Sequence, residues 1–366
     1  MEEYRTCLIT LHSINNAGSV LQAYALNKYI NDLGIENYVI DYRPYYTKLD
    51  SNIIKGIVRA VVFGYNQRKL NSKYNIFVSK YMKLTKERYY SLRQLKKNAP
   101  NAECFIAGSD QLWNASYKCG KDGAYRLDFV LNKPKISYAT SMGRKSIPQS
   151  ELDILCESIK DYKWISVREE SASKLLAQKL GRNVEYVCDP VFLLEKEAYE
   201  RMINDNPYGD YAVMYLAESS ECLDDFIEYI KREKGWRIIQ AGGNRKRCNC
   251  DIHLKCVGPE EFLSLIKNAR FVISGSFHAT AFSAMFRKEF CVFLPKNNGE
   301  RISNFLELLG LNNKVVETNR DFKNAMREIE YSDVIPNLEQ FVNKSRMMLK
   351  NEMFEIKHSG EIDVSR

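Results

Sequence analysis

Five short stretches of this 366-residue chain carry polar side chains of the kinds that move protons and grip anions. In ISGSFHATAFSAMFRKEF (273–290), His278, one of only four histidines, follows an apolar run and precedes apolar residues at helical spacing. A strand-to-helix corner is where open α/β sheets bind ligands, and histidine titrates in the range of a general acid or base. The plainer reading is a polar residue satisfied by nearby backbone. In SVREES, Arg168 ends a strand, where its guanidinium fork could hold a carboxylate or phosphate or simply pair with Glu169 or Glu170. In AGSDQLWN, Asp110 can cap a helix or accept a proton from a sugar hydroxyl, while Trp113, with Asn114 beside it, suits stacking on a sugar ring. YATSMG contributes Thr140 and Ser141. HSINNAGSV offers His12, Asn16 and Gly18 ahead of a helix, where exposed amides favour an anion such as phosphate. That loop lacks the G-x-G-x-x-G order, which disfavours a dinucleotide, and a simply capped loop explains it equally well.

These stretches need elements to hold them, and the apolar periodicity supplies strands alternating with helices. TCLITL, ENYVIDY, AECFIAG, PKISYAT, YKWISV and VEYVCDP read as strands in the first half; YAVMYLA, WRIIQAG, RFVISGS and FCVFLP repeat the pattern in the second. Alternation of this kind implies parallel sheets covered by helices. The expectation is an α/β protein of two Rossmann-like domains facing across a cleft. Residues 1–190 form the first and 210–322 the second, with a helical tail over 323–366. Residues 55–100 read as a basic helical insertion in the first domain.

Composition narrows the classes. At 45% hydrophobic and 27% charged the chain is globular. No run of about 20 apolar residues suggests a membrane span, and the start MEEYRTCLITL reads as a strand rather than a signal peptide. Ten scattered cysteines suggest reduced thiols and a cytoplasmic location. Cys248, Cys250, His253 and Cys256 have loosely metal-like spacing but match no standard zinc pattern, so no metal is expected. Between Lys55 and Pro100 stand twelve Lys/Arg against one acid, Glu87. A solvated helical face explains this. The sharper reading is a surface that meets anionic membrane at its inner face, to which Lys80, Lys83 and Lys86 would contribute, or a lipid-linked phosphate substrate. Charge alone would admit nucleic acid, but no nucleic-acid motif accompanies it.

Taken in order, GSDQLWN, YATSMG, SVREESASKLL, CDPVFLL and FVISGSFHATAFSAMFRKEF resemble the polysaccharide pyruvyl transferase family, from about Thr6 to Leu311. The resemblance implies a glycosyltransferase-B-like pair of domains. It also implies transfer of a pyruvyl group from phosphoenolpyruvate, with no other cofactor, to the hydroxyls of a saccharide, free or lipid-linked, as a cyclic ketal. By the same resemblance Arg168 would hold the donor and His278 would act in the chemistry. Many members carry Arg-Leu-His where this chain has Ser276-Phe277-His278. Arg301 is the candidate to replace that arginine, with Arg245 and Arg247 behind it. Donor binding is then expected of Arg168, Arg301, Ser276, Asn16 and Gly18. Acceptor contact is expected of Trp113, Asn114, His12, Thr140 and Ser141. His278 is expected to be the acid and Asp110 the base, with His12 an outside choice. A helix start should keep His278 neutral until an anionic donor binds. Two competing readings are a nucleotide-sugar glycosyltransferase of the same shape and a non-catalytic saccharide-binding relative.

Overall fold

The structure is a computed structural model that describes residues 5–47, 53–144, 146–205, 207–216, 218, 220–246, 248–296 and 299–363. The first sheet contains β1 (Arg5–Ile9), β2 (Glu36–Tyr42), β3 (Leu84–Tyr89), β4 (Cys104–Ala107), β5 (Lys135–Thr140), β6 (Trp164–Val167) and β7 (Glu185–Tyr186). All pairs are parallel, in the order β3-β2-β1-β4-β5-β6-β7. The second sheet contains β8 (Tyr211–Leu216), β9 (Arg237–Ala241), β10 (Ile252–Leu254), β11 (Phe271–Gly275) and β12 (Phe290–Val292), again parallel, in the order β10-β9-β8-β11-β12. In each sheet the order reverses beside the first strand, β1 or β8, and that is where a doubly wound domain opens a crevice at the carboxyl ends. The central strands are buried on both faces, β4 and β11 at every residue, as parallel strands covered by helices must be.

The helices follow from their patterns. Leu223–Lys234 buries Leu223, Phe226, Ile227 and Ile230 on one stripe, with acids in its first turn and bases in its last. Its cap is Cys222, not a serine. Phe277–Met285 is apolar almost all round, and a helix of that kind must be enclosed: eight of its nine residues are buried. Ala17–Asp32 is buried in the same way and packs against it across the domain seam.

The basic segment is not wholly helical. It forms the helix Ile53–Tyr81, then β3, then a short helix Leu92–Lys97. β3 is an edge strand with Lys86, Glu87 and Arg88 exposed or half-exposed, a charged edge that resists pairing with another chain.

The seam between the sheets is aromatic. Phe77, Tyr24, Tyr199, Phe282, Phe262 and Tyr215 run in a chain of ring contacts from the first domain to the second, with centroids 4.9–6.2 Å apart. The last helix, Tyr331–Asp363, spans both. Tyr331 donates its hydroxyl to carbonyls of Ser283 and Lys288, while Ser345 and Arg346 bond Cys188, Leu193 and Phe192 in the first domain. The helix's own Leu349 and Met353 are fully buried. Leu349→Ala should therefore cost about 2–5 kcal/mol, read as a lower midpoint in urea denaturation.

Candidate functional site

Where the carboxyl ends of the two sheets meet, charged side chains converge with little access to water. Arg168, at the end of β6, donates from Nη1 to Asp189 Oδ2, and its Nη2 stands 3.8 Å from Asp110 Oδ1. Asp189 heads the link between the domains and accepts a backbone hydrogen bond from Val191 at 3.1 Å. The same Asp189 oxygen lies 3.4 Å from His278 Nε2. His278 opens the second turn-side of the seam: it is the second residue of its helix, and Gly18, in the first turn of Ala17–Asp32, packs on its ring. A Cβ at Gly18 would stand 2.0 Å from His278 Nδ1, so only glycine leaves the imidazole in place. Phe277 lies beneath two cations, with the Arg168 and Arg301 guanidinium carbons 5.0 and 6.0 Å from its centroid.

The charges set one another. Burial pushes the carboxyls of Asp110 and Asp189 up, but Arg168 and the His278 imidazole, with Arg301 beside Asp110, override it and hold both below the ordinary range. Glu169 goes the other way: burial raises it, and Arg168, Arg301 and the Ser141 hydroxyl only partly offset that. Burial and the neighbouring Arg168 push Arg301 down, though arginine remains a cation. Arg168 Nε and Arg301 Nε are buried with no hydrogen-bond partner among the described residues, and Arg168 Nη2 and His278 Nε2 meet only the long contacts to Asp110 and Asp189. Buried donors are ordinarily satisfied, so this set of N–H groups is what a small anion would complete.

Two loops hold Asp110 in place. Ser141 N donates to Asp110 O at 2.9 Å, Trp113 N to Ser141 O at 3.2 Å, and Gly143, at φ +66°, nests against Gln111 and Asn114. Asp110 (φ +77°) and Ala139 (φ +51°) both occupy the left-handed region, a backbone cost of the kind that gathers at functional sites. Ser19 donates its hydroxyl to Asp110, and the Gln111 amide donates at 2.9 Å.

The structure thus brings together Asp110, Arg168, His278, Arg301 and Gly18. The other sequence candidates are engaged in contacts of their own, some beside the cluster and some apart from it. Trp113 is buried against Tyr162 in the first domain's core, so its ring has no open face for a sugar. Asn114 braces its own loop through Gln111 and Ser116, and Thr140 donates to Ser166 O at 3.2 Å. Ser141 gives its hydroxyl to Glu169. Asn16 is exposed and caps its helix by accepting from Ser19 N at 3.1 Å. Ser276 is half-buried at its helix start and makes no capping bond. His12 is fully buried, 3.2 Å from Asp41, and can touch no acceptor. Arg245 is exposed on a loop, and Arg247 lies outside the described residues. Cys250 and His253 both contact Gln240 while Cys248 and Cys256 turn to Met214 and the Asn66 carbonyl, and no cluster of three or more metal-ligating side chains occurs among the described residues. Lys80 is exposed and pairs with Glu260 at 3.0 Å across the seam. No helix among the described residues is long and apolar enough to cross a membrane. Asp189 and Glu169 went unassigned in the sequence. The Asp-Pro pair reads as a turn and Glu169 as a partner for Arg168, and only the loop-to-loop approach reveals their places.

Comparison with known proteins fits this geometry. The sequence profile described as polysaccharide pyruvyl transferase matches residues 16–297. No curated protein matches the chain significantly. Among solved structures, UDP-N-acetylglucosamine 2-epimerase from Rickettsia bellii is similar at 10% identity and TM-score 0.54, covering 98% of this chain and 96% of that one. The S. aureus MnaA–UDP co-structure is similar at 11% and 0.52, covering 94% and 91%. An alpha-glucosyltransferase in complex with UDP and DNA is similar at 10% and 0.51, covering 97% and 99%. At these identities the likeness is one of fold: two Rossmann-like domains in the glycosyltransferase-B arrangement.

The depressed carboxyls make a pH prediction. Asp189, Asp110 and Asp41 have folded pKa values below the ordinary value of about 4, so the stability they contribute is complete above about pH 4 and is lost as pH falls through the folded values. Glu169, raised, contributes in the opposite sense, losing its share as pH rises through its folded value. Glu36, Glu200, Asp251 and Asp321 are lowered as well, and Asp128 and Glu352 raised with Glu169, so lowered carboxyls predominate and the urea midpoint should fall below about pH 4. A midpoint that rises on acidification would mean the raised carboxyls, Glu169, Asp128 and Glu352, dominate.

Proposed function

The chain belongs to the polysaccharide pyruvyl transferase family, and from that premise we propose that the seam cluster binds phosphoenolpyruvate and transfers its pyruvyl group to saccharide hydroxyls as a ketal. The observation that carries the proposal is the set of unpartnered, buried N–H groups on Arg168 and Arg301, held over one phenyl ring where two helices begin. Two guanidinia and two helix N-termini suit a small molecule with a carboxylate and a phosphate.

The chemistry assigns roles to the residues present. His278 gives a proton to the donor's methylene carbon, leaving C2 electrophilic. An acceptor hydroxyl bonds to C2 and loses its proton to Asp110, which its neighbours keep ionised. Phosphate then leaves with the C2–O bond electrons, Arg168 and Arg301 stabilise its charge, and a second hydroxyl closes the ketal as its proton departs with the phosphate. Asp189 orients Arg168 and His278 together without touching substrate.

A nucleotide-sugar donor fits the second domain less well. The small crevice at the carboxyl ends of β8, β11 and β12, about 170 Å³, is lined by Glu218, Glu221 and Glu317 with one cation, Lys296. Three carboxylates there repel a diphosphate. A cytoplasmic location belongs to the same proposal, since phosphoenolpyruvate is an intracellular metabolite.

Two experiments test the assignment. Calorimetry should show saturable phosphoenolpyruvate binding, weakened about 10- to 100-fold by Arg301→Ala, the loss of one or two charge-assisted hydrogen bonds. Binding of UDP- or GDP-sugars, with none of phosphoenolpyruvate, would move the chain to glycosyl transfer; binding of neither would favour a non-catalytic saccharide-binding role. Gly18→Ala should lower turnover about a hundredfold by displacing His278, with the fold retained on circular dichroism.

A further inference from the structure

A second anion-friendly feature lies two strands away from the seam cluster on the first domain. Between the helix Ile53–Tyr81 and the β2–β3 edge is a pocket of about 650 Å³ lined by Arg43, Arg68, Arg88, Asn71, Asn75 and Ser79 among others, with no acid among its described lining residues. The arginines come from three elements. Arg43 and Arg88 are held side by side because each donates its Nε–H to Asp41, at 2.5 and 2.7 Å. Asp41 is itself buried and fixed from behind by His12 at 3.2 Å. Arg43 also donates to Asn75 at 3.2 Å. Three guanidinia against the one carboxylate of Asp41 leave the pocket strongly positive, and forks held in place suit a tetrahedral polyanion better than a flexible lysine patch would.

The pocket is joined to the proposed chemistry. Asn71 in its wall accepts a hydrogen bond from Asn15, in the loop that leads into the helix whose Gly18 packs on His278. Only β1 separates β2 from β4, so Arg43, just after β2, and Asp110, just after β4, follow strands two sheet spacings apart, roughly 10 Å, with Arg88 on β3 one spacing further out. A sugar ring with one substituent spans such a gap.

We propose that this pocket is an acceptor subsite that takes a phosphate or diphosphate group borne by the saccharide, leaving the sugar hydroxyls at Asp110 and His278. The acceptor role rests on the pyruvyl-transfer reading; the anion site does not. His12 becomes a positioning residue that acts through Asp41.

The test is calorimetry on the full chain with inorganic pyrophosphate and, separately, phosphoenolpyruvate. Wild type should bind pyrophosphate saturably, also when saturated with phosphoenolpyruvate. Arg68→Gln, on an exposed helix face, should weaken it about tenfold, and Arg68→Gln with Arg88→Gln further, while phosphoenolpyruvate affinity stays within about twofold. Unchanged thermal unfolding of Arg68→Gln separates lost binding from lost fold. No pyrophosphate binding, binding indifferent to Arg68→Gln, or displacement by phosphoenolpyruvate would overturn the proposal. So would binding of phosphatidylglycerol vesicles without pyrophosphate, which would make the pocket a membrane contact. If pyrophosphate behaves as expected and phosphoenolpyruvate never binds, the anion site stands and the donor reading falls.

Discussion

The contact of one carboxylate, Asp189, with both Arg168 and His278 is the interaction around which the site is built. All three are buried, and a charge removed from water persists only with a partner. Arg168 belongs to the first sheet and His278 to the second, so Asp189 ties the domains at the point where the chain leaves one for the other. Losing one partner of such a buried pair typically costs about 3–5 kcal/mol, because the remaining charge is stranded. The other members are placed by this tie: Asp110 on the far side of Arg168, and Phe277 next to His278 in sequence, beneath both arginines.

The surrounding backbone is arranged to hold these groups before any ligand arrives. Two loops lock each other, two residues accept left-handed conformations, and a glycine admits the imidazole against a helix start. Preorganised dipoles and charges of this kind stabilise charge that develops in a reaction without having to reorient.

Much of this was legible in the sequence. The main strands follow from apolar runs, and the position of His278 follows from a strand that ends where a helical pattern begins. Period and turn residues locate a Cα, but they do not say where a side chain points. Trp113 stood beside polar residues and was read as a sugar platform, yet its ring turns inward to Tyr162. His12 stood in a polar loop and is buried behind Asp41. β3 carries so many charges that its strand character was hidden; as an edge strand it can keep them in water. Lys80 is the exposed charge its sequence suggests, but its pairing with Glu260, 180 positions away, was not legible. Partners across a seam are what one local pattern cannot contain.

The aromatic chain from Phe77 to Tyr215 has a mechanical consequence. A polar, thinly packed seam would let the two sheets swing apart like a hinge, whereas this one is apolar and is strapped by the returning C-terminal helix. Wide opening would expose those rings to water, at roughly 1.5–3 kcal/mol for each large apolar side chain. Access to the cluster then falls to the segments at its rim, among them residues 12–16 and 141–144, because moving them exposes none of the seam rings.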